Sequence, residues 1–82
     1  MRTNNYDYRK EWKDDKPGWY EIFIPNYDEN IVLTDKIKAI VKWIYDCIDH
    51  CERHARWYIT GSGISVKFRY ERDYIRFSLV WG

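Results

Sequence analysis

The sequence is poor in cysteine, proline and glycine and contains no long apolar run. Its 82 residues include two Cys, two Pro and four Gly, which excludes collagen-like, low-complexity and disulfide-framework classes. No stretch approaches the roughly 20 apolar residues that span a bilayer, and the first residues lead into no apolar signal core. We therefore expect one cytoplasmic domain that makes no membrane contact.

Aromatic residues are abundant instead. The chain holds five Trp, eight Tyr and three Phe. Each ring contributes much apolar area, and rings suit the half-buried surface of a sheet. A chain this short has few residues with which to build a core. The composition therefore predicts a small folded domain that contains a sheet rich in aromatic side chains.

The N-terminal segment differs from the rest of the chain. Residues 1–16 are polar and charged with no clear period, so they predict an N-terminal arm. Pro17 and Gly18 then interrupt the chain, and we assign 17–82 to a single domain. The run 19–24, rich in aromatic and β-branched residues, predicts its first strand.

A helix and three further strands are predicted next. Apolar residues recur at helical spacing from Ile37 to Ala55, after a suitable N-terminal cap at Thr34. The period then changes to two, and the predicted strands and turns are 56–60, 61–63, 64–70, 71–73 and 74–81. This order, β-α-β-β-β, predicts an α+β domain whose mostly antiparallel four-stranded sheet carries one helix on one face.

Alternation along the strands separates two faces of this sheet. The face predicted to pack under the helix consists of Trp57, Ile59, Ile64, Val66, Phe68, Tyr70, Ile75, Phe77, Leu79 and Trp81. The opposite face mixes cations with rings, and its candidate binding residues are Trp19, Arg56, Tyr58, Lys67, Arg69, Tyr74 and Arg76. One helix covers one face, so we expect the second face to be either solvated or a binding surface.

Charge is distributed unevenly along the chain. Residues 1–52 carry eight Lys/Arg and eleven Asp/Glu, a net −3, whereas 53–82 carry six Lys/Arg and two acids, a net +4. The positive third could face a phosphate backbone or an acidic protein surface. A charge of this size is also what an ordinary solvated face carries.

Cations interleaved with rings suit single-stranded nucleic acid, because rings stack on unpaired bases while cations follow phosphates. The stretch Val66–Tyr70 resembles the aromatic signature of RNA-recognition motifs but lacks its glycine. In the predicted register Phe68 and Tyr70 face inward, where neither could stack on a base. Nucleic-acid binding would therefore depend on Tyr58 and Tyr74.

Four potential metal ligands, Cys47, His50, Cys51 and His54, share one face of the predicted helix. Ligands on one rigid helix cannot enclose zinc, because structural zinc sites draw on at least two elements. The chain has no other Cys or His. We therefore predict no metal and no cofactor, and we interpret the cysteines as apolar packing at the edge of the core.

No set of residues in the sequence predicts catalysis. A Cys-His pair three positions apart could make contact, but nothing suggests an oxyanion hole or a lowered thiol pKa. The run 61–63 is too short for a phosphate-binding loop and lacks its lysine. We therefore predict that the protein is not an enzyme.

The C-terminal third contains, over 54–57, 68–77 and 79–82, an aromatic-basic strand, an acidic turn, a second aromatic strand and a terminal Trp. In this pattern it resembles the tail of small accessory proteins of large tailed phages. It implies an early factor that binds and disables a host component, such as a nuclease toxin, a polymerase or other defence machinery. It implies no role for a particular residue.

Two functional hypotheses follow. The first is a non-enzymatic binding module, an inhibitor or antitoxin-like anti-defence factor, that uses the outward sheet face and the arm against a protein in the host cytoplasm. The second is a small RNA- or single-stranded-DNA-binding protein that uses the same face. Because phosphate contacts are sensitive to salt, the affinity of a nucleic-acid-binding protein would fall more steeply with salt concentration than the affinity of a protein-binding module. The sequence leaves homodimerisation open.

Overall fold

The computed structural model describes residues 7–13, 16–26 and 34–82. Its elements in chain order are β1 (Tyr20–Pro25), α1 (Asp35–Cys47), α2 (Cys51–His54), β2 (Ala55–Thr60), β3 (Gly63–Phe68) and α3 (Glu71–Trp81). The strands form one antiparallel sheet in the order β1-β3-β2. The predicted α+β class is confirmed. The prediction of four strands and one helix is wrong, because the described chain contains three strands and three helices.

The first helix begins where the sequence predicts. The Thr34 hydroxyl accepts a hydrogen bond from the Ile37 N–H at 3.2 Å, and Asp35 lies in the first turn. Both features favour a helix N-terminus. The buried stripe of α1 consists of Ile37, Ile40, Val41 and Ile44. These residues belong to the predicted apolar stripe, so its assignment to the core is confirmed.

The prediction of one helix continuing to Ala55 is wrong. The first helix ends at Cys47, Ile48 is extended, and His50 has a φ of 51° at the start of the short α2. Asp and His are weak helix formers, and His is enriched at positive φ. The turn keeps Ile48 and Cys51 in the core and directs the chain into β2.

The register of the sheet sorts its residues into two faces. On one face the paired residues are apolar: Ile22 and Trp57 both oppose Val66, and Ile24 opposes Ile64. On the other, Arg56 opposes Lys67, Tyr58 opposes Ser65, and Phe23 opposes Ser65 from the other side. The predicted alternation of β2 and β3 is thus confirmed as far as Phe68.

The segment predicted as the last strand forms α3. Glu71 and Asp73 lie in its first turn, where carboxylates suit the positive end of a helix. Its buried residues are Asp73 and Phe77, one turn apart. Ile75 and Leu79 are instead 47% and 81% exposed. The assignment of Ile75 and Leu79 to the core is therefore wrong, because a helical period turns them away from the sheet.

The last helix packs on the apolar face of the sheet through rings. Phe77 is fully buried, with its ring centroid 5.1 Å from that of Phe68 and 5.5 Å from that of Trp43 in α1. Tyr74 lies 5.8 Å from Tyr20 at the start of β1. Helices α1 and α3 therefore cover the same face of the sheet.

Residues 7–13 pack along β2. The Trp12 indole N–H donates to the Trp57 carbonyl at 3.0 Å, and the Trp57 indole donates to the Tyr8 carbonyl at 3.2 Å. Lys10 forms a 2.7 Å ion pair with Glu52. This part of the predicted arm is therefore attached to the domain. Residues 1–6 and 14–15 lie outside the described residues.

Replacing Gly63 by alanine should destabilise the protein by about 1–3 kcal/mol, the usual cost of overpacking. Gly63 has a φ of +151°, and a methyl group there would meet the Ile24 carbonyl and lie 2.8 Å from the Phe23 ring. Urea unfolding measures the loss. Gly61→Ala is the control, because no atom lies within 4 Å of a methyl group at that position. Equal stability of the two variants would contradict the close approach of β1 to Gly63.

Candidate functional site

The structure divides the predicted binding residues between surfaces. Arg56, Tyr58 and Lys67 lie on the outer face of the sheet, as predicted. Tyr74 and Arg76 lie on α3, on the opposite side of the sheet. The prediction that all of these residues share one face is therefore wrong for the two on α3, and the reason is the helical rather than extended backbone of that segment.

Arg56 occupies a buried position beneath the N-terminal segment. Only 8% of the residue is exposed. Its guanidinium carbon lies 4.3 Å from the Trp12 ring centroid and 5.3 Å from that of Trp19. One guanidinium nitrogen, Nη1, donates to the carbonyls of Glu52 at 2.6 Å and Ala55 at 2.9 Å. Arg56 therefore holds two indole rings against β2, and Trp19 takes part in this stack.

The remainder of the outer sheet face has mixed charge. Tyr58 and Lys67 are half-buried, and Phe23 is 49% exposed. The Ser65 hydroxyl donates to the Glu21 carboxylate at 2.7 Å, which places an anion on this face. A carboxylate next to Lys67 weakens attraction for phosphate. The face therefore offers rings and polar groups without a strong positive field.

A basic-aromatic cluster lies where β3 leads into α3. The Tyr70 ring, predicted to be core, is 37% exposed. The guanidinium carbons of Arg69 and Arg72 lie 5.4 and 5.2 Å from its centroid, and the His54 ring lies 5.0 Å away. The inward assignment of Tyr70 is wrong because the strand ends at Phe68. The alternation of residue types in the sequence continues beyond Phe68 to Tyr70, although the strand does not.

Tyr74 and Arg76 mainly fix α3 in place. Tyr74 contacts Tyr20 as described above, and the Arg76 guanidinium lies 3.7 Å from the Asp73 carboxylate and 6.0 Å from the Trp43 ring centroid. Asp73 is 4% exposed. Arg76 thus screens a buried carboxylate and still keeps half of its own side chain at the surface.

The exposed face of α3 is the surface that sequence reasoning missed. Leu79 is 81% exposed, Val80 57% and Ile75 47%. The side chains of Arg72 and Arg76 are 75% and 54% exposed. At 100° per residue these five positions fall within about 140° of the helix circumference. A helical period applied to 71–81 would have predicted this exposed face. The period of two instead assigned Ile75 and Leu79 to the core.

The cysteines and histidines do not form the shared helical face that the sequence predicted. Cys47 ends α1, His50 lies in the following turn, and Cys51 and His54 belong to α2. Among residues 7–13, 16–26 and 34–82, no group of three or more His, Cys, Asp or Glu is arranged to hold a metal ion.

The environment of Cys51 favours the neutral thiol. Burial raises the pKa of Cys51, and the negative charge of Glu52 raises it further. A thiol that remains protonated is a poor nucleophile and a poor metal ligand. The structure therefore provides no activated cysteine at this position, and the contact of Cys51 with the core agrees with a packing role.

Comparison of the chain with protein-family models, curated proteins and solved structures finds no match. None of the described helices is long and apolar enough to cross a bilayer. Among the described surfaces, the exposed face of α3 departs furthest from an ordinary solvated surface, because it exposes Ile75, Leu79 and Val80 together.

Proposed function

We propose that this protein is a small non-enzymatic module that binds another protein through the exposed face of α3. The observation that carries the proposal is the 81% exposure of Leu79 beside the exposed side chains of Ile75 and Val80. Contiguous exposed apolar patches commonly mark interaction sites. Removing apolar area from water contributes about 25 cal/mol per Å². These side chains therefore favour association with a partner that covers them.

The side chains on this face indicate the chemistry of the partner. Aliphatic groups cannot stack on bases, so they favour a protein over a nucleic acid. Arg72 and Arg76 lie on the same face, with 75% and 54% of their side chains exposed. Arginine pairs well with carboxylates at interfaces. The partner should therefore present an apolar patch edged by Asp or Glu.

The narrower form of the proposal is an anti-defence factor. The resemblance of the C-terminal third to phage accessory proteins supports an inhibitor or antitoxin-like role against a host protein, with both molecules in the host cytoplasm. The binding face proposed here lies within that third of the chain. The resemblance describes a second strand where the structure has α3, so it supports the context of the function and not the geometry of binding.

A single-stranded nucleic acid is the second candidate. It is favoured by Tyr70, which is partly exposed and whose ring centroid lies 5.4 and 5.2 Å from the guanidinium carbons of Arg69 and Arg72. Such a ring could stack on a base while the cations contact phosphates. Glu71, which follows Tyr70 in the chain, and the Asp73 carboxylate, 3.8 Å from Arg72, reduce the positive field around these groups. Protein binding therefore remains the preferred proposal.

Leu79→Asp should abolish partner capture, with at least a tenfold loss, which corresponds to about 1.4 kcal/mol. A charge at the centre of the apolar contact would be desolvated without a partner, whereas the exposed position leaves the fold intact. The measurement is affinity capture from nuclease-treated host lysate, with bound proteins quantified by mass spectrometry and thermal melting recorded for each variant.

Ala39→Asp is the matched control, because it places the same carboxylate at an exposed position of α1. Capture should be unchanged by this substitution. Capture from untreated lysate is run in parallel. If material captured there is removed by nuclease and its salt dependence is steep, the nucleic-acid candidate replaces the protein proposal. If Leu79→Asp and Ala39→Asp capture the same proteins equally well, the exposed face of α3 is not the interface.

A further inference from the structure

We infer that the outer edge of β2 binds an extended peptide segment of a partner protein, which adds to the sheet as a fourth strand. Strand β2 lies at the end of the sheet order β1-β3-β2. Beside it is a groove of about 570 Å³ between the strand and residues 8–12. This volume lies within the range of about 300–1,000 Å³ that is usual for binding sites.

The hydrogen-bond pattern shows which backbone groups of β2 face the groove. The Arg69 N–H donates to the His54 carbonyl at 2.9 Å, so His54 lies in a hydrogen-bonded pair of the β2–β3 ladder. Antiparallel ladders alternate such pairs with pairs whose polar groups point outward. Trp57 and Ile59 therefore direct their N–H and carbonyl groups away from β3. The Trp12 indole confirms this direction, because it donates to the Trp57 carbonyl from outside the sheet.

Ile59 leaves two backbone groups available for an added strand. Ile59 lines the groove. Among the described residues, no hydrogen bond uses the N–H or the carbonyl of Ile59. One peptide residue in extended conformation would satisfy both groups at once. The indole of Trp12 already uses the next outward carbonyl, so the added strand would pair from Ile59 toward the turn at Gly61.

The opposite edge of the sheet is less suitable. The Asn26 N–H donates to the Ser62 carbonyl, so Ile24 and Ile22 lie in the hydrogen-bonded pairs of the β1–β3 ladder. The backbone groups that point outward from β1 therefore belong to Glu21, Phe23 and Pro25. Proline has no N–H to donate, and proteins commonly protect exposed sheet edges with proline or charged residues. The outward position of β2 that faces the groove is Ile59, which is neither proline nor charged. The sheet therefore favours strand addition at β2.

The groove also indicates which side chains the peptide should carry. Tyr58 lines the groove beside Ile59, and Arg9, Lys10 and Glu11 line it from the N-terminal segment. Lys10 is engaged with Glu52, and the exposed Arg9 and Glu11 carry opposite charges. We therefore expect an extended segment in which apolar residues alternate with uncharged polar residues. This site does not depend on the exposed face of α3, so it can be tested separately from the proposed function.

The test uses a fluorescein-labelled octapeptide of alternating valine and threonine, with binding followed by fluorescence anisotropy. Saturable binding to the wild-type protein is expected. Methylating the peptide nitrogens on the strand edge that faces β2 should weaken binding at least tenfold, and methylating those on the other edge should not. Equal effects of the two methylation patterns, or no saturable binding, would overturn the inference.

Ile59→Pro tests the same contact from the protein side. Proline is tolerated at an edge position whose N–H faces outward, so the variant should melt cooperatively and bind the peptide at least tenfold more weakly. Leu79→Asp should bind it like the wild type. Should Ile59→Pro fail to fold, the methylated peptides still decide the question. A concentration-dependent dimer that excludes the peptide would instead identify a second copy as the occupant and overturn the inference.

Discussion

Phe77→Ala is expected to lower the free energy of unfolding by about 3–5 kcal/mol, the usual cost of deleting a buried phenyl ring. Phe77 is fully buried, and its ring contacts Phe68 of the sheet and Trp43 of α1. It therefore joins both helices to the sheet. Because small domains have a total stability of about 5–15 kcal/mol, this loss should bring the protein close to unfolding at room temperature. Urea unfolding followed by circular dichroism measures it.

Leu79→Ala is the control that tests the helical backbone of α3. With 81% of Leu79 exposed, its truncation should change stability by less than about 0.5 kcal/mol. A strand over 74–81 would instead place Leu79 in the core beside Phe77, and truncation would then cost about 2–5 kcal/mol. Similar large losses for both variants would show that this segment is a strand and that the structure of α3 is wrong.

Arg56→Ala is expected to lower the free energy of unfolding by about 2–4 kcal/mol. Hydrogen bonds from a charged donor contribute about 1.5–3 kcal/mol, and stacking on rings contributes about 0.5–2 kcal/mol. The substitution removes two such hydrogen bonds, to Glu52 and Ala55, and releases Trp12 and Trp19. Chemical unfolding measures the loss, and a red shift of tryptophan fluorescence should report exposure of the indoles.

Arg69→Ala is the corresponding control at an exposed arginine that follows β3. It should change stability by less than about 0.5 kcal/mol. This contrast separates two roles for Arg56, because a side chain that projects into solvent for binding would give the same small effect as Arg69. Equal melting of the two variants, together with weaker partner binding in both, would favour the binding role that the sequence predicts for Arg56 and Arg69.

Local periodicity was sufficient to predict the buried residues of several elements. The apolar spacing of α1 includes Ile40 and Ile44, which are fully buried, and the alternation in β2 and β3 correctly places Trp57 and Val66 on the apolar face. A helical period fits the apolar residues of α1 much better than a period of two, and the reverse holds for β2 and β3. The α+β class and the faces of two strands could therefore be derived from the residues themselves.

The candidate site was harder to derive, because exposure depends on what lies above a residue. Alternation correctly places Arg56 on the outer face of β2. It contains no information about Trp12, which lies 45 residues before Trp57 in the chain and whose ring lies against the Arg56 guanidinium. The same limit applies to Leu79, whose exposure depends on the backbone of α3.

By itself the sequence determined the α+β class, the start of α1 and the inward residues of β2 and β3. Only the tertiary structure decided the form of the last segment, since 71–81 satisfies a period of two through Ile75, Phe77 and Leu79 and a helical period through Asp73 and Phe77. The physical reason is the sheet order. In β1-β3-β2 both edges of β3 are already paired, so a strand following β3 has no edge on which to continue the meander. The segment instead buries Phe77 by packing as a helix across the apolar face, and this leaves Leu79 exposed.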